Sequence, residues 1–279
     1  RNRWSSRLTP PVLSARVAMG NKCSSSVIGT TEVLSITQCC AARAHSLDEG
    51  GAAFSQATRS PLIVFDWDDT LMCSSDIKAH RSPDPQELRS LEGAVQQVLN
   101  IALGLGKTVI VTNANMCWVR ATANLFIPSV VPMLKLIDVM SARQSYERQW
   151  PGDPGAWKKQ AFLDLVGVHQ VNATGAAEDV VADERARGGV NLVVLGDSHA
   201  EIQAGRSAVP GKEAGVVKTI KFKEVPTTED MIGQLEAVSA QLRALVIQDQ
   251  SASKELVKGS FSSSWSLADT PGAGWLGLA

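Results

Sequence analysis

The run Leu62-Ile63-Val64-Phe65-Asp66-Trp67-Asp68-Asp69-Thr70-Leu71 constrains the fold more than any other stretch of the chain. Four apolar residues, β-branched or aromatic after the first, lead directly into three carboxylates and a hydroxyl. A continuous apolar run of this length predicts a strand buried on both faces, as in a parallel sheet. Ligands of such sheets bind in the crevice beyond the carboxyl ends of the strands, which is where Asp66 and Asp68 fall. Carboxylates crowded there repel one another and lose solvation unless a cation joins them. Hard oxygen ligands in that position suit Mg²⁺. The same residues also read as a strand followed by an acidic turn, since Asp is a common turn residue.

Further strands and helices alternate along the chain. Asp84 can cap a helix, with Pro85 in its first turn and Glu87 completing a capping-box-like pair. Leu88, Leu91, Val95, Val98, Leu99 and Ala102 recur at helical spacing in it, and Gly104 and Gly106 end it. Thr108 to Thr112 reads as a second buried strand, Leu136 to Met140 as a third, Asn191 to Leu195 as a fourth and Val216 to Phe222 as a fifth. Helices are predicted after Asn115, over 154–167, after Ser198 and from Thr227 or Thr228 onward. Residues 171–189 read as a polar surface insertion. The alternation over 61–248 predicts an α/β fold, a doubly wound three-layer sandwich with a central parallel sheet. Residues 249–279, rich in Ser and Gly with Trp265 and Trp275, read as a flexible C-terminal tail.

Composition narrows the classes. An apolar fraction of 44% over 279 residues is enough for a sizeable core. No apolar run reaches the roughly 18 residues expected of a transmembrane helix. A net charge of −1 gives no reason to expect nucleic acid as a partner. The five cysteines fit no zinc spacing, and reduced thiols in a cytoplasmic protein are the default reading. Residues 1–60 show no sustained period and read as a disordered N-terminal segment. They carry seven basic and three acidic side chains. An Arg- and Ser-rich, acid-poor start resembles an organelle transit peptide. Met19-Gly20-Asn21-Lys22-Cys23-Ser24 instead fits the N-myristoylation pattern, with Gly20 the myristate acceptor and Cys23 placed for a second acyl chain. That reading makes Met19 the start and the protein peripherally attached to a membrane, since two acyl chains anchor where one holds weakly.

Polar signals recur where predicted strands end. Asp66 and Asp68 follow the first strand, and Thr112 ends the second. Lys158 and Lys159 lie early in a helix before the fourth, and Asp197 with Glu201 follows the fourth. In a parallel sheet these strand ends share one edge, so carboxylates, a hydroxyl and an ammonium would converge there. Such a mixture suits phosphoryl transfer, where positioning and charge neutralisation carry most of the catalysis.

These residues resemble the haloacid dehalogenase superfamily of phosphatases. Asp66-Trp67-Asp68-Asp69-Thr70 is similar to its first motif and Thr112 after Val109-Ile110-Val111 to its second. Lys158, with Lys159 as the alternative, is similar to the third, and Gly196-Asp197-Ser198 with Glu201 to the fourth. The resemblance spans roughly residues 61–225. It implies a Rossmannoid fold and Mg²⁺ held by Asp66, Asp197 and the backbone carbonyl of Asp68, with Glu201 holding a metal-bound water or orienting Asp197. It also implies Asp66 as nucleophile through an aspartyl-phosphate and Asp68 as general acid and then base. Thr112, the Asn113 backbone and Lys158 would bind the phosphoryl group. The stretches 72–107 and 113–157 leave no room for a large cap domain. In this family that implies an open site and a large phosphorylated substrate such as a phosphoprotein. Two alternatives stand beside this reading: a non-catalytic binding or scaffold subunit that keeps the fold, and a small-metabolite phosphatase. Trp67, Trp118 and Trp157 read as core residues, His199 as exposed, and Asp69 as structural.

Overall fold

The fold is described from a computed structural model over residues 59–79, 84–174, 189–260 and 264–270. Gly20, Cys23 and the expected disordered N-terminal segment up to residue 58 lie outside the described residues. Seven strands form one sheet: β1 (Pro61–Phe65), β2 (Lys107–Thr112), β3 (Asp138–Ser141), β4 (Val190–Gly196), β5 (Gly215–Lys221), β6 (Ala252–Lys258) and β7 (Trp265–Asp269). Their order is β3-β2-β1-β4-β5-β6-β7. β1 to β6 run parallel, and β7 closes the sheet antiparallel to β6.

The helices are α1 (Ser74–Lys78), α2 (Pro85–Leu105), α3 (Met116–Phe126), α4 (Ala142–Tyr146), α5 (Pro154–Thr174), α6 (His199–Ala208), α7 (Gly211–Ala214) and α8 (Thr228–Ile247). Alternation along each strand divides them into two layers, because successive side chains point to opposite faces. Ile63 and Phe65 of β1, Ile110 of β2 and Leu195 of β4 pack with α2, α3 and α8. Leu62 and Val64, with Val109, Val111, Leu192 and Val194, pack with α4, α5 and α6. The four apolar residues of β1 are each at most 1% exposed, and burying such side chains contributes about 2 kcal/mol apiece. β1 is therefore the centre of both cores and the strand on which the molecule closes.

Helix starts follow the local sequence. Asp84 and Glu87 form a reciprocal capping box on α2, with Pro85 at its first position. Gly106 follows the helix because a Cβ there would lie 2.3 Å from the Pro61 carbonyl oxygen. Asn115 caps α3 by accepting from the Trp118 N–H at 2.7 Å. Ser198 and Glu201 form a second capping box on α6.

Two expectations are corrected. The helix from Pro154 continues to Thr174, so residues 171–174 belong to it rather than to a surface insertion; residues 175–188 lie outside the described residues. Lys218 in β5 is fully buried. Its ammonium donates to Asn191 Oδ1 at 2.7 Å and to the Val246 carbonyl at 2.9 Å, where α8 presents its negative end. The second correction concerns the flexible tail expected over 249–279. Residues 252–258 and 265–269 are strands of the sheet. β6 buries Ser253 and Leu256: Ser253 Oγ meets Thr219 Oγ1 of β5 at 3.1 Å and Leu256 joins the core, while Ser251 just before the strand accepts from the Val217 N–H. Trp265 of β7 lies against Gly233 of α8, where a Cβ would come within 2.5 Å of the indole.

The described interval between β1 and β2 holds α1 and α2. That between β2 and α5 holds α3, two single-turn helices, β3 and α4. All are packed onto the sandwich. Among the described residues no single helix is long and apolar enough to cross a membrane.

Candidate functional site

The strand order reverses at β1. The chain moves outward through β2 and β3, then returns to lay β4 against the other side of β1. Such a switch point opens a crevice at the carboxyl ends of the two strands. Asp66 leaves β1 on one side of it and Asp197 leaves β4 on the other. The Asp66 N–H donates to the Leu195 carbonyl at 2.9 Å, which fixes the two exits together.

After Asp66 the chain winds around a single acceptor. The Trp67 carbonyl receives the N–H groups of Leu71 and Met72 at 3.0 Å, with Thr70 at 3.4 Å. Asp69 takes a positive φ of 55°, a conformation that Asp tolerates better than most residues. Its carboxylate accepts from the Ser75 N–H at 2.8 Å and from the Ser75 hydroxyl. Asp69 is thus structural, as expected. The Trp67 side chain is fully buried, and its Nε1 donates to Thr122 Oγ1 at 3.1 Å.

Lys158 joins the two halves of the crevice. Its ammonium is 1% exposed and lies 2.8 Å from Asp66 Oδ1 and 2.8 Å from Glu201 Oε1. It also donates to the Val111 carbonyl of β2 at 3.0 Å. Lys159 is exposed. Burial opposes the charge on Lys158, yet Asp66 and Glu201 together raise its pKa. Burial likewise opposes ionisation of Glu201, but Lys158 outweighs it and the pKa falls. The other Glu201 oxygen accepts from the Ser198 N–H at 3.0 Å and from the Ser198 hydroxyl. Gly196 makes room for this side chain, since a Cβ there would sit 2.8 Å from Glu201 Cγ.

The remaining carboxylates are under-compensated. Burial pushes the Asp66 carboxyl up to about 6 against the pull of Lys158. Asp197 is pushed up to about 7, first by burial and then by the charges of Asp66, Glu201 and Asp69. Oxygens of Asp66, Asp197 and Glu201 all lie within 4.8 Å of one another. Three carboxylates against one ammonium leave two negative charges unbalanced. Beyond its ion pair with Lys158, the buried Asp66 Oδ1 has no hydrogen-bond partner. An all-oxygen cluster with excess negative charge fits a hard divalent cation.

Thr112 is buried at the end of β2, and its hydroxyl accepts from the Ala114 N–H at 3.0 Å. That leaves the Thr112 O–H free to donate. Asn113 Nδ2 reaches the Pro154 carbonyl at 3.4 Å while its Oδ1 is buried without a partner. Asp68 is half-buried, and its Oδ1 accepts from Trp118 Nε1 at 2.8 Å and from the Ser74 hydroxyl. His199 is exposed and Trp157 lies in the core. Trp118 is only half-buried and bonds Asp68, a role its apolar spacing concealed. The bond of Ser198 to Glu201 was also missed, although Ser198-x-x-Glu201 carries the capping-box spacing. Nothing in the sequence singles out Ser74.

Comparisons of the chain with protein-family models, with curated proteins and with solved structures gave no match. What the site can do is therefore argued from its own residues.

Proposed function

We propose that the chain is a Mg²⁺-dependent phosphoric monoester hydrolase of haloacid dehalogenase type, acting through an aspartyl-phosphate on Asp66. The observation that carries this reading is the buried ammonium of Lys158 between Asp66 and Glu201 at the switch point of the sheet. A hydrolase of this kind needs a carboxylate nucleophile in a cationic setting that tolerates a dianionic phosphoryl group.

In this reading the Asp66 carboxylate attacks phosphorus as the bond to the leaving oxygen breaks. Asp68 gives that oxygen a proton. Water then attacks the aspartyl-phosphate, Asp68 takes its proton, and Asp66 is released. Thr112 and the Asn113 backbone N–H donate to phosphoryl oxygens, and Lys158 holds Asp66 in place. Asp66, Asp197 and the Asp68 backbone carbonyl would hold Mg²⁺, which supplies positive charge against the phosphate. Glu201, with both oxygens engaged by Lys158 and Ser198, secures the cluster from behind. The absence of a separate cap unit among the described residues supports a large substrate such as a phosphoprotein.

Hydrolysis of an aryl phosphate by the protein and by Asp66→Asn, with and without Mg²⁺, tests this. The expected result is turnover that requires Mg²⁺ and disappears in the variant. Folded protein that binds Mg²⁺ but turns nothing over would refute it and leave a binding or scaffold role.

A further inference from the structure

We infer that Trp118 and Ser74 are positioning residues for Asp68, fixing one carboxylate oxygen so that the other exchanges the proton with the leaving group. This rests on the phosphatase reading above. Both donors, Trp118 Nε1 at 2.8 Å and the Ser74 hydroxyl, converge on Oδ1. No hydrogen bond to Oδ2 is formed among the described residues. The terminal torsion of an Asp side chain is broad and nearly two-fold, so an unheld carboxylate would present either oxygen over a range of angles. Two donors on one oxygen, from α1 and α3, remove that freedom.

The supporting side chains are themselves anchored. Ser74 is buried. Trp118 packs against the apolar core, and its backbone N–H donates to the Asn115 side chain that caps α3. Lys78 Nζ lies 5.2 Å over the indole ring. Indole is a donor only, so its one polar atom has a single use here, and that use is Asp68.

In the first step the Asp66 oxygen bonds to phosphorus and the P–O bond to the leaving group breaks. Its electron pair stays on the leaving oxygen, which takes the proton from Asp68 Oδ2. A substrate whose leaving group departs as a stable anion needs no such proton. Loss of positioning should therefore depend on the leaving group, whereas general structural damage should not.

The test compares kcat/KM for β-glycerol phosphate and for 2,4-dinitrophenyl phosphate, using the full chain with Mg²⁺. General acid catalysis contributes roughly 10²–10⁴-fold. Trp118→Phe should therefore lower kcat/KM for the alkyl ester about 10- to 100-fold and for the dinitrophenyl ester less than about 3-fold. Ser74→Ala is the second variant and should shift the ratio in the same direction, so a poorly folding Trp118→Phe leaves the test intact. Asp68→Asn sets the largest selective loss. Equal losses on both esters in the two variants, or no loss, overturn the inference while a selective loss in Asp68→Asn keeps the phosphatase reading. No turnover by the parent chain, or an unselective Asp68→Asn, overturns both.

Discussion

Replacing Asp197 by Asn should make the metal-free protein more stable, by an amount that grows with pH. In the folded chain the carboxyl is pushed up to about 7 from 3.8 by burial and by Asp66, Glu201 and Asp69. Below about pH 4 the folded and unfolded states both hold the proton. Between about pH 4 and 7 the unfolded chain releases it and the folded chain keeps it, so stability falls as pH rises. Above about pH 7 both are ionised and the loss is complete. Each pH unit is worth about 1.36 kcal/mol, so the fall from pH 5 to pH 7 is about 2.7 kcal/mol. Solvent screening of this partly exposed side chain reduces it to about 2 kcal/mol. Asn does not titrate, so the gap between variant and parent widens by that amount. For a domain of this size it corresponds to roughly 4–8 °C in Tm. Thermal melts in excess EDTA at pH 5 and pH 7.5 read it directly. Mg²⁺ should then stabilise the parent and close the gap, because a ligand that binds only the folded state at 100 times its Kd adds about 2.7 kcal/mol. A gap that stays constant between the two pH values, or a parent indifferent to Mg²⁺, would show that the cluster carries no excess charge and would refute the reasoning.

Two further outcomes are expected. Lys158→Met leaves Asp66 and Glu201 buried against each other without a cation, and should lower stability by about 3–5 kcal/mol in denaturant melts and abolish the proposed phosphatase turnover. Ending the chain after Gln248 removes β6 and β7, exposes the edge of β5, and strips Asp230 of Lys258, one of the two lysines beside it. The Asp230 carboxyl, held near 2 by Lys223 and Lys258 against the effect of burial, should return toward its ordinary value. The truncated protein should melt lower and aggregate, as measured by light scattering during a thermal ramp.

What the sequence disclosed followed from how each residue earns its place. β1, β2 and β4 are buried on both faces, so unbroken apolar runs announced them, and the parallel sandwich came with them. Asp66, Thr112, Lys158, Asp197 and Glu201 were singled out by their order along the chain; β1, β2 and β4 end at or just before Asp66, Thr112 and Asp197, and α5 and α6 bring Lys158 and Glu201 to Asp66. β6 was hidden because Leu256 is its one large buried apolar side chain and the other buried position is Ser253, so no apolar run or alternation marks it. The bond of Trp118 to Asp68 was hidden because the indole satisfies helix packing and polar contact at once, and apolar periodicity reports only the first. Glu201 was expected to hold a metal-bound water or orient Asp197, and it does lie in one carboxylate cluster with Asp66 and Asp197; its bonds to Lys158 and Ser198 were not foreseen, because the first depends on a contact between α5 and α6 that no local pattern encodes.

The burial of Trp67 between two carboxylates has a consequence for how such a molecule can change over generations. Because Asp66 and Asp68 flank a side chain locked into the core and bonded to Thr122, their separation is set by the interior and not by the surrounding loops. Loops at the crevice mouth can lengthen, shorten or be exchanged without disturbing that spacing. Diversification toward new partners is thereby uncoupled from the two carboxylates, and a laboratory search for altered binding would start at the rim and leave the Asp-Trp-Asp unit alone.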